Sequence, residues 1–255
     1  MKTPLKNELS HKSTLPLLKK IIPKQSVVSS FLFFDGYVEF GLCSNDIFIN
    51  ATTSKYVIYE FWSCMIEDSR NVYEIAKSKS IQKLRNKESF HILQENWPKC
   101  RDPFTRSALF FMLNRCSDTG LISSGKFDLS RLNSISINYL KDFRANNFHL
   151  NYNKGKSLDF KSSKHLQSDF LLLPMGKFSY NLFEHGKSLG LEETSVHHRN
   201  LFTNLNKINK KWILIYKMHP SVFQVYKQYK INMVDKYGNS TIDKSNCEDI
   251  IVTNF

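Results

Sequence analysis

The chain contains no run approaching the roughly 18 consecutive apolar residues that a bilayer-crossing helix needs. Its opening stretch, MKTPLKNELSHKSTLPLLKK, has none of the apolar core of a secretory leader. Both absences predict a cytoplasmic protein without a membrane partner. Cysteine is sparse, with 5 in 255 residues at positions 43, 64, 100, 116 and 247, and there is neither a C-x-x-C pair nor a Cys/His group at metal-ligand spacing. That pattern excludes a disulfide scaffold and predicts no metal. Glycine is scarce as well, at 9 residues, and no internal repeat or low-complexity tract occurs. Arginine supplies only 8 of the 36 basic residues, the rest being lysine.

What remains is a globular composition, 41% hydrophobic and 13% aromatic. A chain of this length can bury roughly 70% of its unfolded surface, enough for one large α/β domain. The net charge of +13 is unevenly spread. Residues 1–30 hold six Lys against one Glu, residues 31–76 hold two basic and seven acidic residues, and residues 207–230 hold six Lys and no acid. Further basic blocks cover 77–106 and 141–164. Basic blocks around an acidic segment suit a polyanionic partner such as double-stranded DNA, and each block taken singly equally suits a solvated lysine face.

The order of elements follows from periodicity. Val27 to Phe34, closed by Asp35-Gly36, reads as a buried first strand and its turn. Asp46–Asn50 reads as a second strand, with Thr52, Thr53 and Ser54 supplying a cap for a helix starting near Lys55. Residues 56–93 are helical in pattern, Arg106–Arg115 forms a compact helix, and Thr119–Phe127 a hairpin turning at Ser124-Gly125. A second short helix covers 130–144, and 151–164 is a polar loop. Strands at 169–173, 212–216, 231–235 and 249–254, with helices within 188–208 and at 220–229, restore the α/β rhythm.

Lys12-Ser13-Thr14-Leu15-Pro16 with the helix after it, Arg101-Asp102-Pro103, the helix Arg106 to Leu113-Asn114 with Gly120, and the ending Glu248 to Phe255 stand in an order that resembles the Dam-type, class alpha DNA adenine methyltransferases. The resemblance covers nearly the whole chain. It implies a Rossmann-like methyltransferase sheet (residues 1–84 and 146–255) with a mainly helical target-recognition subdomain inserted at 85–145.

Such an enzyme holds S-adenosylmethionine at a Phe-x-Gly-x-Gly turn after the first strand. The matching stretch here runs Phe31-Leu32-Phe33-Phe34-Asp35-Gly36-Tyr37, so Phe34 replaces the first glycine, Asp35 adds an anion beside the expected methionine carboxylate, and Gly36 alone remains. The family's ribose-binding Asn-Asp is Asn50-Ala51 here, with Asp46 the nearest acid, four residues before Asn50. Its Asp-Pro-Pro-Tyr tip, which grips the flipped adenine, is Pro174-Met175-Gly176-Lys177. Phe178 and Tyr180 are the rings nearest the missing tyrosine.

Three sites are lost while the scaffold order is kept. The expectation is therefore a catalytically inactive member that binds no cofactor and retains a binding role, toward DNA, through Lys99, Arg101, Arg106, Arg115, Lys126 and Arg131. Two other readings stay open. One is an active but divergent S-adenosylmethionine-dependent methyltransferase. The other is a structural or assembly protein that presents aromatics, among them Phe178, Tyr180, Phe183, Tyr226 and Tyr229, to a protein partner. His197-His198 is not read as a metal or catalytic pair, because neighbours on a helix point about 100° apart.

Overall fold

The computed structural model describes residues 3–83, 85–120, 122, 125–154, 158, 167–176, 178, 196 and 198–255. Eight strands form one sheet in the order β3-β2-β1-β4-β5-β8-β6-β7. They are β1 (Val27–Ser30), β2 (Phe48–Thr53), β3 (Phe148–Tyr152), β4 (Phe170–Gly176), β5 (Lys211–Lys217), β6 (Lys230–Asp235), β7 (Ser240–Thr241) and β8 (Cys247–Thr253). The first five in that spatial order are parallel. β8 enters antiparallel between β5 and β6, and β7 closes the edge as a two-residue hairpin strand. The chain is thus a mixed α/β protein with a mostly parallel sheet, compatible with a Rossmann-like fold.

Both faces of the sheet are buried, which explains its continuous apolar strands. Alternate residues serve opposite faces. β4 sends Phe170 and Leu172 into one core and Leu171, Leu173 and Met175 into the other, while β5 divides Ile213 and Ile215 from Trp212, Leu214 and Tyr216 in the same way.

Helices cover the sheet: α1 (Leu15–Ile21), α2 (Tyr37–Cys43), α3 (Tyr56–Lys77), α4 (Lys79–Lys83), α5 (Lys87–Asn96), α6 (Pro103–Arg115), α7 (Ser134–Lys141), α8 (His198–Leu205) and α9 (Pro220–Val225). α6 starts where the sequence dictates. Asp102 caps it by accepting from the Thr105 N–H at 2.6 Å, and Pro103 fills the first turn, where a missing N–H costs nothing. α7 opens with a reciprocal capping box between Asn133 and Ser136. Phe90, Trp97, Phe110, Phe111, Leu140 and Phe143, from the α5–α7 region, join the same core cluster as Val28 and Ile49 of the sheet.

Several expectations are corrected. The apolar run Val27–Phe34 is strand only to Ser30, because Leu32 adopts φ 59° and turns the chain over the end of the sheet. Asp46, at φ 59°, precedes β2 instead of opening it. Thr52 and Thr53 belong to β2, and the residue before α3 is Lys55, without a side-chain cap. The polar stretch after residue 150 begins inside β3, an edge strand whose register with β2 runs to Tyr152. The hairpin expected at 119–127 pairs Ser117 with Phe127, and Ser124 lies outside the described residues.

Candidate functional site

In an open parallel sheet of this kind, ligands sit beyond the carboxyl ends of the strands where the strand order reverses. Here that point lies between β1 and β4. A crevice is present there, lined by Leu32, Phe34, Asp35, Val38 and Glu39 after β1, by Pro174, Met175 and Gly176 of β4, and by Asn7, Leu9, Ser10 and His11 of the N-terminal segment. Its volume is about 30 Å³. Ordinary small-molecule sites need about 300–1,000 Å³.

The filling is built from specific contacts. Phe34 is buried, its carbonyl accepting the Trp62 indole N–H at 2.7 Å, which fixes the turn against α3. Gly36 follows at φ 68°, and a Cβ there would fall 2.2 Å from the Phe40 ring, so a glycine is required. Asp35 accepts the Tyr37 N–H at 3.1 Å through Oδ1. Burial pushes its carboxyl up, against hydrogen bonds from the Tyr37 N–H and the Ser10 side chain and the nearby Lys12. Glu39 is 3% exposed, and its Oε1 accepts the Ser30 hydroxyl at 2.7 Å. Burial raises that carboxyl to about 7.

The sequence reading did not anticipate the network closing this crevice. Gly176 donates its N–H to His11 Nε2 at 3.0 Å, so the proton of this imidazole resides on Nδ1, which donates to Asp249 Oδ1 at 2.7 Å. Ser13 donates its hydroxyl to the other oxygen of the same carboxylate, and the Lys217 ammonium lies 3.1 Å from Asp249 Oδ1. Asp249 is fully buried. Burial alone would raise its carboxyl, but the His11 hydrogen bond, the Lys217 cation and the Ser13 hydroxyl hold it below the usual range. The far end of the N-terminal segment is pinned too. Lys6 N–H donates to Asn114 Oδ1 at 2.7 Å, the Asn114 amide donates to Lys6 O at 2.9 Å, and a Cβ on Gly120 would stand 2.5 Å from that carbonyl. A signal for this network was available: Asp249 directly precedes the apolar run Ile250–Val252 of the closing strand, and a buried carboxylate demands partners.

The remaining positions are less chemically suggestive. Ala51 is fully buried within β2, which runs on to Thr53, so it stands inside the strand and not at the end where the sequence reading put it, and Asn50 pairs in register with Ser29 and His149. Asp46 lies at the opposite end of that strand, 3.4 Å from Lys24. In the tip, Met175 is buried in the second core and Pro174 is half-buried, while Lys177 lies outside the described residues, as do Tyr180, Phe183 and His197. Phe178 stacks at 4.0 Å on His198 and at 5.1 Å on His219. The His198 ring lies 3.0 Å from the Tyr216 hydroxyl, itself 3.1 Å from that of Tyr226. Tyr226 is fully buried.

The six basic candidates divide. Lys99, Arg101, Lys126 and Arg131 are exposed, Arg131 standing 3.9 Å from Asp128. Arg106 is committed elsewhere: its guanidinium chelates the Glu60 carboxylate with Nε–Oε2 at 2.5 Å and also donates to Cys100 O. Arg115 donates to Pro4 O at 2.6 Å and Thr3 O at 3.4 Å, and burial lowers its pKa to about 10. Arg106 and Arg115 thus differ from the other four candidates. Each is held inside the fold by acceptors that a phosphate would have to displace.

Among the described residues no helix is long and apolar enough to cross a membrane, and no cluster of three His, Cys, Asp or Glu side chains could hold a metal ion. Compared with protein-family models and with curated proteins, the chain matches none.

Proposed function

We propose that the chain is a catalytically silent relative of the Dam-type DNA adenine methyltransferases that keeps a binding role, toward double-stranded DNA. The observation that carries this reading is the contrast at the switch point. Parallel strands in the order β3-β2-β1-β4-β5, with an antiparallel closing strand between β5 and β6, form a sheet compatible with a Rossmann-like fold. The crevice where its cofactor would lie is instead packed by Phe34, Asp35 and His11 down to about 30 Å³. In this reading residues 85–145 correspond to the recognition subdomain. The exposed Lys99, Arg101, Lys126 and Arg131 supply its phosphate contacts, which are independent of sequence and sensitive to salt. Titrating duplex DNA into the protein at about 50 and 200 mM salt tests it, with weak binding that falls steeply at the higher salt as the expected result. Absence of binding at the lower salt refutes the DNA role.

A protein-assembly role is the second reading. Tyr56 and Tyr152 are 50% and 37% exposed and lie with Tyr59 in a cluster of rings whose centroids are 5.5–6.4 Å apart, at the carboxyl rim of the sheet. Exposed grouped aromatics favour protein contact.

A further inference from the structure

The sheet ends in two unlike edges. One is β7, only two residues long, and so short an edge is blunted against further pairing. The other is β3, five residues without proline, charge or bulge, in unbroken register with β2. Asn147 O accepts the Ile49 N–H at 2.8 Å and Asn153 N–H donates to Thr53 O at 3.0 Å, so His149 and Asn151 between them also turn their backbone groups toward β2. The N–H and C=O groups of Phe148, Leu150 and Tyr152 therefore face away from the sheet, and among the described residues no strand pairs with them. Two further observations single out this edge. In a chain of net charge +13, residues 145–153 carry no charged side chain. Beside them Tyr56, Tyr59, Ser63 and Ile66 form one stripe of α3 at helical spacing, with Tyr56 50% and Ile66 44% exposed. The rings of Tyr56 and Tyr59 lie 5.7 and 5.5 Å from that of Tyr152, which joins the stripe to the strand. An open strand edge flanked by exposed apolar side chains suits strand addition.

We propose that β3 pairs antiparallel with β3 of a second copy of this chain, across a two-fold axis at Leu150, joining two sheets into one. The register selects this occupant. Leu150 stands opposite its own copy and Tyr152 opposite Phe148 of the other protomer, so every outward-facing N–H and C=O of the strand meets a partner. The paired rings add a favourable cross-strand contact. Lys154, the first cation after the strand, falls opposite Asn146 and not opposite a like charge. A two-fold contact is closed, so association stops at the dimer.

The inference is independent of the methyltransferase-like reading. It names a partner for the assembly reading and rests on that reading only for the tyrosines, its main support being the strand edge. Salt separates it from DNA binding. Both protomers are positively charged, so salt screens their repulsion and tightens the dimer, whereas it weakens contacts to phosphate.

The test is sedimentation equilibrium of the full chain from about 1 to 500 µM, with amide hydrogen exchange of Phe148, Leu150 and Tyr152 followed over the same range. A monomer–dimer equilibrium is expected, tighter at about 500 than at about 50 mM salt, with exchange of the three amides slowing as the dimer fills. Leu150→Pro should weaken the dimer at least about tenfold, and because the Leu150 N–H faces away from β2 the protomer loses no hydrogen bond. Should that variant not fold by far-ultraviolet circular dichroism, His149→Lys, at an exposed position, carries the same expectation by placing a cation on the edge. Tyr56→Lys separates the two readings: a dimer that forms unchanged keeps the strand pairing and removes the tyrosines from assembly. A chain that stays monomeric overturns self-pairing alone and leaves the assembly reading to a different protein. Growth beyond the dimer, a dimer in which the three amides still exchange fast, or one that survives both edge substitutions overturns the proposal.

Discussion

The His11 imidazole donates to the Asp249 carboxylate at 2.7 Å across 238 positions of sequence, tying the segment before α1 to the closing strand. Because the same ring accepts the Gly176 N–H, it also joins the tip of β4. The residue that occupies the mouth of the crevice is thus held from two strands at once. The closure of the crevice and the tie between the N-terminal segment and the closing strand come from the same contacts.

Removing that ring leaves a buried N–H without an acceptor and takes one donor from a buried carboxylate. His11→Ala is expected to cost about 2–4 kcal/mol in urea unfolding. Asp249→Asn in the His11→Ala background should cost markedly less than in the wild type, because the pair acts together. Additive losses would show that the contact is incidental.

Stability should depend on pH with two limbs of opposite sign. The Asp249 carboxyl lies below its ordinary 3.8 in the folded chain, so its contribution is complete above that value and is lost as pH falls through the folded value. The Glu39 carboxyl rises from 4.5 to about 7, so folding is favoured below 4.5 and that advantage disappears as pH climbs to about 7. Glu39→Gln should remove the neutral limb and raise the unfolding free energy at about pH 8 by on the order of 3 kcal/mol. Urea midpoints collected from acid to alkaline pH check both limbs, and a flat profile for the wild type contradicts them.

The two classes of basic residue separate by experiment. Replacing Lys99 and Arg101 together with Ala should lower the slope of log affinity against log salt by up to about 1.8, because each lost phosphate contact removes about 0.9. Arg106→Ala should leave the slope unchanged and instead cost about 3 kcal/mol of stability, since Glu60, at 8% side-chain exposure, loses its cation. A reduced slope with intact stability would return Arg106 to the DNA-facing set.

The parallel sheet was legible because a buried strand writes itself as an apolar run: Trp212–Tyr216 and Phe170–Leu173 fall where the pattern puts them. β3 was not, because an edge strand covered on one side carries polar residues such as His149 and Asn151 that look like loop. The run Val27–Phe34 misled for the opposite reason. Its second half is apolar because Phe31 and Phe33 enter the two cores while Leu32 and Phe34 line the crevice, and hydrophobicity alone does not separate a strand from a buried turn. The positions Phe34, Asp35 and Ala51 stand out by their mismatch with the motifs of the family that the sequence resembles, whereas the closure by His11 and Asp249 depends on residues distant in sequence and emerges only when the chain is folded.

Calorimetric titration of the unmodified protein with S-adenosylmethionine tests the central claim most directly, because a crevice of about 30 Å³ is too small for a ligand of that size. No saturable heat is expected up to millimolar ligand. A dissociation constant below about 100 µM, equivalent to roughly −5.5 kcal/mol, would contradict the account.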